Sequence, residues 1–329
     1  MPLPMTRGEF NRLGERLIAS ERPAEADLTD LARALISYQD ALESAKGDLS
    51  ELGFAPSGRV KTTTTMLDKL RRTKGMELSR VQDLAGARIV VPDLTAQDAA
   101  KEKIRDFFAG RGAGCRVVDR REDPRFGYKA VHLVVRVDGL FVEIQVRTEL
   151  QDTWAQIVER LADRWGRGIR YGEQPADPDA TVRSGTFVAT RREAIQILMT
   201  LSDAISAVER TKQAVNIDDQ LVKETYKLWE GMPPADPEKL ANKIPPEMVK
   251  VQQSLAGIMA AQPEKLDEEG LRLLDAGSDI TGAELFRMVE ICQGILRALI
   301  TDRSEELRSN EQRVHGILQL IASATDEEV

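Results

Sequence analysis

The sequence predicts an α+β domain in its first part and an all-helical region after it. The clearest strand pattern is a pair of runs rich in apolar and β-branched residues, 131–137 and 140–146, joined by Asp138-Gly139. An Asp-Gly pair between two such runs is typical of a β-hairpin. Apolar residues spaced three and four positions apart predict helices on both sides of this hairpin. Helices combined with an antiparallel hairpin indicate a mixed β-sheet of the α+β class.

The elements before the hairpin are predicted to be helices and short strands. Thr6 precedes a helix over 7–21, and Asp27 is expected to cap a second helix that ends at Gly53. The remaining predicted elements are a short strand near Val60, helices over 64–74 and 95–108, and strands over 88–91 and 115–119.

The chain after the hairpin is predicted to be nearly all helical. A helix over 149–165 follows the second strand, and proline and glycine residues indicate a linker over 173–190. Residues 186–329 hold 16 Lys and Arg against 25 Asp and Glu, a net charge of −9, which argues against nucleic-acid binding by this region. The further predicted helices span 191–213, 218–229, 246–261, 283–300 and 304–323.

Length and composition are those of an ordinary globular protein. The 329 residues are enough for about two domains. No apolar run approaches the roughly 20 residues that a membrane span needs, and the first residues lack the pattern of a secretory signal. Two distant cysteines, Cys115 and Cys292, indicate a reducing compartment. We therefore expect a cytoplasmic protein without a membrane partner.

Two acidic residues are candidates for catalysis. Glu143 lies inside a predicted apolar strand, where a carboxylate without a partner is costly if buried. Asp83 lies at the start of another apolar strand, which ends at Pro92. Two carboxylates on neighbouring strands suit one or two Mg²⁺ ions that hold a polyphosphate.

Basic residues are concentrated near the first of these acids. The segment 59–74 has six basic residues and a single acidic one, Asp68. A solvated basic helix face is the alternative interpretation. Together with the two carboxylates, the basic residues favour phosphate binding. The candidates are Arg59, Lys61, Lys69, Arg71, Arg72, Lys74 and Arg88.

Several motifs occur in a fixed order: Arg59-x-Lys61, Lys69 with Arg72, Asp83-x-x-Gly86-x-Arg88, Gly127-Tyr128-x-x-x-His132, Glu143-Ile144-Gln145-x-Arg147-Thr148 and Trp154. Taken together with their spacing, they resemble the synthetase domain of the RelA/SpoT family over about residues 25–172. The resemblance implies a nucleotidyltransferase-like fold and a pyrophosphokinase that moves the β,γ-pyrophosphate of ATP to the 3′-hydroxyl of GDP or GTP, which makes the alarmones ppGpp and pppGpp.

The resemblance also implies roles for individual residues. Asp83 and Glu143 are expected to bind Mg²⁺, and Glu143 also to orient and deprotonate the attacking hydroxyl. The ring of Tyr128 is expected to stack on the acceptor base. The residues expected to bind the ATP phosphates are Arg59, Lys61, Lys69, Arg72 and Arg88, and the other acceptor-binding residues are Lys129, His132 and Gln145.

The resemblance divides the chain into four parts. Residues 1–55 are expected to form helices that pack on a synthetase core over 56–172, and the linker 173–190 leads to an acidic helical region over 191–329. For this last region, the alternatives are a bundle that buries its own core, a module for homo-oligomerisation and a regulatory region, including one that binds a regulatory protein. The alarmone hydrolase activity of long family members is not expected, because the sequence contains only two histidines and no His-Asp pair.

Three functions stay open from the sequence. The first is a small (p)ppGpp synthetase. The second is a toxin-type enzyme that pyrophosphorylates the 3′ end of tRNA or makes adenine alarmones, since the histidine that often follows Trp154 in the family is absent and Glu159 or Arg160 lies nearby. The third is a catalytically idle module that senses nucleotides or binds a partner.

Overall fold

A computed structural model describes residues 3–73, 75–112, 114–231, 242–244 and 246–326. The chain folds into two compact units. The first comprises Met1–Ser206 with Val314–Val329, and the second comprises Ala207–Arg313.

The first unit is built on a five-stranded mixed sheet in the order β1-β2-β5-β4-β3. Strands β2 and β5 are parallel, and the other neighbours are antiparallel. The predicted hairpin and the α+β class are both confirmed. The strands are β1 Ser57–Val60, β2 Ala85–Val91, β3 Cys115–Asp119, β4 Val131–Val137 and β5 Leu140–Thr148.

Helices precede and connect these strands. Thr6 caps the first helix through a reciprocal pair of hydrogen bonds with Glu9, as its sequence predicts. The second helix begins after Ala24, so the prediction that Asp27 is its cap is wrong. Asp27 lies in the first turn, where its carboxylate pairs with Arg16 at 2.8 Å. The helices are α1 Arg7–Ala19, α2 Glu25–Glu51, α3 Thr63–Arg72, α4 Leu94–Gly110 and α5 Glu149–Trp165.

The two faces of the sheet differ in chemistry because alternate residues of each strand point to opposite sides. On β5, Val142, Ile144 and Val146 are completely buried, and they belong to one hydrophobic core with residues of α1, α2, α3 and α4. Each such aliphatic side chain contributes about 1.5–3 kcal/mol on burial. The intervening residues of β5 are polar and face the other side of the sheet.

Helix α2 approaches the edge strand closely at Gly58. A Cβ atom there would lie 2.6 Å from the Gly86 carbonyl oxygen and 3.3 Å from a methyl group of Leu42. Only glycine allows this approach without a shift of the backbone, so Gly58 fixes how β1 lies between α2 and β2.

The segment predicted as a linker contains regular structure. Strands β6 Thr181–Ser184 and β7 Phe187–Thr190 form an antiparallel hairpin, and β8 Thr325–Asp326 pairs with β6. Val182 of β6 is completely buried. The first compact unit therefore extends past residue 172 to Ser206 and includes the end of the chain.

The C-terminal region is helical apart from this small sheet, as predicted. Helices α6 and α9 run without the interruptions predicted near residues 214–217 and 301–303, because neither stretch contains proline or glycine. The prolines 233, 234 and 245 lie outside the described residues. Among the residues that the structure describes, no helix is long and apolar enough to cross a membrane. The helices are α6 Arg191–Gly231, α7 Val249–Ala260, α8 Glu268–Asp275 and α9 Gly282–Ala322.

The second unit has its own hydrophobic core. Leu255, Met259, Met288 and Cys292 are at most 1% exposed, and each belongs to a different turn of α7 or α9. The Cys292 thiol is buried, which raises its pKa to about 12. This residue therefore serves packing.

Candidate active site

The polar side of the sheet brings together side chains from four strands. Gly86 of β2 pairs with Glu143 of β5, and further along the two strands Arg88 pairs with Gln145. His132 of β4 also lies opposite Gln145. We call this surface the polar face. It consists of Arg59, Arg88, His132, Glu143, Gln145 and Arg147.

Asp83 lies just before β2 and is held between two lysines. The Lys69 ammonium donates to Asp83 Oδ1 at 2.6 Å, and Lys61 lies 2.8 Å from Oδ2. Burial raises the pKa of the Asp83 carboxyl, but the charges and hydrogen bonds of the two lysines outweigh this and lower the pKa overall. Asp83 is therefore an ionised carboxylate beside two flexible cationic side chains, as a phosphate-binding site requires.

Glu143 is the second carboxylate, and side chains of β4 and β5 hold it. His132 Nδ1 lies 2.9 Å from Oε1, and the Gln145 amide donates to Oε2 at 2.7 Å. Burial raises the pKa of Glu143 and nearby Asp83 adds to this, but the hydrogen bonds and the charge of His132 lower the pKa overall. The Glu143 carboxylate is therefore ionised, and each of its two oxygens has a hydrogen-bond donor on a strand.

A hydrogen-bonded chain links Glu143 to Tyr128. The Tyr128 hydroxyl lies 3.0 Å from His132 Nε2, on the side of the imidazole opposite to Glu143. Arg147 donates to the same hydroxyl at 3.1 Å and to the Gln145 amide oxygen at 2.9 Å. Since the ionised Glu143 only accepts, Nδ1–H of His132 donates to it. The strands therefore fix the direction of the hydrogen bond at Glu143.

Arg147 also belongs to the polar face. It was part of a motif in the sequence, but no role was predicted for it. Its side chain is nearly fully buried and pairs with Asp152 of α5 at 3.0 Å. Arg88 shares the same carboxylate at 3.3 Å and lies 3.7 Å from Glu159. The alternation of Glu143, Gln145 and Arg147 along one strand places all three on one face, and this pattern could have identified Arg147 from the sequence.

The loop of residues 127–129, here called the Gly-Tyr loop, requires glycine at its first position. Gly127 has a φ of +75°, which other residues rarely adopt. A Cβ atom there would also lie 2.9 Å from the indole of Trp154. Tyr128 projects from this loop to the polar face, whereas the Lys129 ammonium contacts α6.

The predicted ATP-binding residues differ in what they contact. Lys61 and Lys69 contact Asp83, and Arg88 is held by the carboxylates of α5. Within the part of the chain that the structure describes, the exposed Arg59 has no partner for its guanidinium. The Arg72 guanidinium lies 3.8 Å from the ring centroid of Tyr171. Lys74 lies outside the described residues.

Asp83 and Glu143 fit magnesium bound together with a substrate. Mg²⁺ is usually held by one or two carboxylates plus substrate phosphates, without a dedicated protein cage. The described residues contain no cluster of three or more His, Cys, Asp and Glu that could hold a metal. Both carboxylates have lowered pKa values, so both are ionised and suited as ligands of a hard cation.

The part of the chain that contains this site is similar to known proteins. Residues 58–162 match the family model described as the region found in RelA / SpoT proteins. Uncharacterized proteins of Mycobacterium bovis and Mycobacterium tuberculosis are each 37% identical over 166 residues, which are 50% of this chain. The chain spans only 58% of the length of these curated relatives.

A solved structure is also similar. The small alarmone synthetase 1 from Bacillus subtilis is 24% identical, with a TM-score of 0.45, over 58% of this chain and 97% of that chain. Asp83 and the whole polar face fall inside the segment that the family model matches. The segment 58–162, which contains the site, is therefore similar to the region found in RelA / SpoT proteins.

Proposed function

We propose that this protein is a pyrophosphokinase that transfers the β,γ-pyrophosphate of ATP to the 3′-hydroxyl of GDP or GTP. The observation that carries the proposal is the pair of ionised carboxylates, one between two lysines and one on the polar face. Transfer of a phosphoryl-type group depends mainly on alignment and charge neutralisation. The match of residues 58–162 to the RelA/SpoT region supports the same chemistry.

The donor nucleotide would lie beside Asp83. Lys61 and Lys69 are partly exposed, so their ammonium groups can leave the carboxylate and contact the ATP phosphates. Arg59 and Arg88 would bind the nucleotide from the polar face. Asp83 and Glu143 would hold Mg²⁺, which neutralises phosphate charge when it is bound.

The acceptor would lie between Tyr128 and Glu143. The Tyr128 ring would stack on the base, and a free oxygen lone pair of Glu143 would accept the hydrogen bond of the 3′-hydroxyl. The 3′-oxygen then bonds to the β-phosphorus, the bond between the β-phosphorus and the oxygen that bridges it to the α-phosphate breaks, and AMP leaves. The lowered pKa of Glu143 makes it a weak base, so orienting the hydroxyl is its main contribution. The hydroxyl proton is released to solvent water as the new bond to phosphorus forms.

The test is transfer of label from γ-³²P-ATP in the presence of Mg²⁺, with GDP, GTP, ADP, ATP and bulk tRNA as separate acceptors. Label in ppGpp or pppGpp is the expected result. Label on tRNA or on an adenine nucleotide alone would replace the acceptor in the proposal and keep the chemistry. If no acceptor becomes labelled by the purified chain, the proposal is wrong and an idle nucleotide-binding module replaces it. The Glu143→Gln variant is the control for a contaminating kinase.

A further inference from the structure

Ser202, Asp203 and Ser206 of α6 contact the Gly-Tyr loop. Lys129 is 8% exposed although it carries a charge. Its ammonium donates to the Ser202 carbonyl oxygen at 2.9 Å, to Asp203 Oδ1 at 2.9 Å and to the Ser206 hydroxyl at 2.7 Å. An ammonium has three N–H donors, so all three are used and none is left for a phosphate.

The other end of the loop is held by the same helix. The Ser202 hydroxyl donates to the Gly127 carbonyl oxygen at 2.5 Å. The Trp154 indole, which packs against Gly127, donates to the Leu198 carbonyl oxygen at 2.6 Å. Helix α6 therefore contacts both residues that flank Tyr128.

We propose that residues 198–206 of α6, acting through Lys129, position Tyr128 for the acceptor nucleotide. Lys129 is thus a positioning residue and makes no contact with the acceptor. These α6 residues lie outside the segment 58–162 that matches the RelA/SpoT region, so part of the acceptor site is supplied by chain beyond that segment. The inference rests on the proposed function and adds the structure that orients its acceptor-binding residue.

Lys129→Met tests the inference because it keeps the length and the apolar stem of the side chain and removes all three hydrogen bonds. Lys103→Met is the matched control. That lysine also donates to a carbonyl oxygen, Leu52 O at 2.8 Å, but it lies on α4. Asp203→Asn is a milder variant, since the Asp203 side chain is 86% exposed and its replacement leaves the fold intact.

Two measurements are made on the full chain. Hydrogen–deuterium exchange of residues 125–130 is expected to accelerate at least about tenfold in Lys129→Met, the loss expected for a charged hydrogen bond, and to stay unchanged in Lys103→Met. Steady-state kinetics are expected to show the KM for GDP or GTP raised by about tenfold or more, while the KM for ATP stays within about twofold of the unmutated enzyme. Asp203→Asn should also accelerate the exchange and raise the KM for GDP or GTP, but by less than Lys129→Met.

The outcomes separate this inference from the proposed function. Unchanged exchange in a folded Lys129→Met variant overturns the positioning role whether or not the protein is active. Accelerated exchange with an equal rise of both KM values also overturns it, because the loop then affects the whole site. Accelerated exchange in a protein that labels no acceptor leaves the loop contact established and contradicts the proposed function alone.

Discussion

The Asp83 side and the Glu143 side of the site hold their carboxylates in different ways. Asp83 faces two lysines whose side chains are 32% and 24% exposed, and Lys69 projects from the short helix α3. Glu143 lies in a central strand and is held by His132 and Gln145. These two residues are in turn bonded to Tyr128 and to the buried Arg147. The first arrangement is made of flexible point charges, and the second is a network of oriented hydrogen bonds.

The difference suggests a division of work in the reaction. A lysine ammonium on a flexible stem can exchange a carboxylate for a phosphate at little cost, which suits a triphosphate that must enter and leave as AMP. A reacting hydroxyl must be held in one orientation for in-line attack. The strand-borne network around Glu143 provides such a fixed orientation. The predictions below test whether the two sides are separable in this way.

Arg147→Met should produce the largest loss of stability in the site. The guanidinium is buried and pairs with Asp152, and removing one partner of a buried pair costs about 3–5 kcal/mol. We expect a value near the lower end, because Arg88 also contacts Asp152. Urea unfolding measures the change.

The matched control for that experiment is Arg111→Met. Arg111 pairs with Asp48 at 2.6 Å, but its side chain is 51% exposed. An exposed pair is worth at most about 1 kcal/mol. If Arg147→Met and Arg111→Met lose the same free energy of unfolding, the buried pair on the Glu143 side stabilises the protein no more than an exposed ion pair does.

Glu143→Gln should reduce turnover by about 10²–10³-fold, the scale for losing one group that stabilises the transition state. The amide keeps the shape of the side chain but loses the charge that would bind Mg²⁺ and orient the attacking hydroxyl. Steady-state kinetics with Asp106→Asn as an exposed control measure this. Turnover within about tenfold of the unmutated enzyme would remove Glu143 from the reaction.

Much of the fold was predictable from local pattern. The hairpin follows from Asp138-Gly139 between two apolar runs, and the structure places its strands at Val131–Val137 and Leu140–Thr148. Helix caps were less predictable: Asp27 has the right chemistry for a cap, but Ala24 takes the position. The small sheet of β6, β7 and β8 could not be predicted, because its strands are two to four residues long and two of its partners lie at opposite ends of the C-terminal region.

The sequence singled out residues that the structure brings together in two clusters. Asp83 with Lys61 and Lys69, and Glu143 with His132 and Gln145, come together. The engagement of Lys129 by α6 could not be predicted. Its partners are more than 70 residues away in the sequence, and no local periodicity shows which helix packs behind a loop. The acceptor-binding role expected for Lys129 is replaced by our proposal of a positioning role.

The stability supplied by Asp83 should depend on pH. The folded pKa of Asp83 is lowered relative to the unfolded value of about 3.9. Its contribution is therefore fully present above the unfolded pKa and is lost as pH falls through the folded pKa. Urea unfolding should show a difference between the unmutated protein and Asp83→Asn at pH 7 that shrinks in acid. A difference that persists unchanged at pH 2.5, about 1.4 units below the unfolded pKa, would show that the lysines do not favour the ionised form.

Tyr128→Phe should have the smallest effect and should separate stacking from orientation. The ring stays available to the acceptor base, while the hydroxyl that joins His132 to Arg147 is lost. A hydrogen bond typically contributes about 1 kcal/mol, and Arg147 keeps its bond to Gln145, so we expect the KM for the acceptor to rise roughly fivefold with turnover nearly unchanged. Tyr38→Phe, in the core far from the site, is the control. If turnover falls as strongly as in Glu143→Gln, the hydroxyl does more than align the network, and the Glu143 side acts as a single unit from Arg147 to the carboxylate. If only the KM for the acceptor rises, Glu143, His132 and Gln145 are enough to orient the reacting hydroxyl, and Tyr128 contributes stacking on the base.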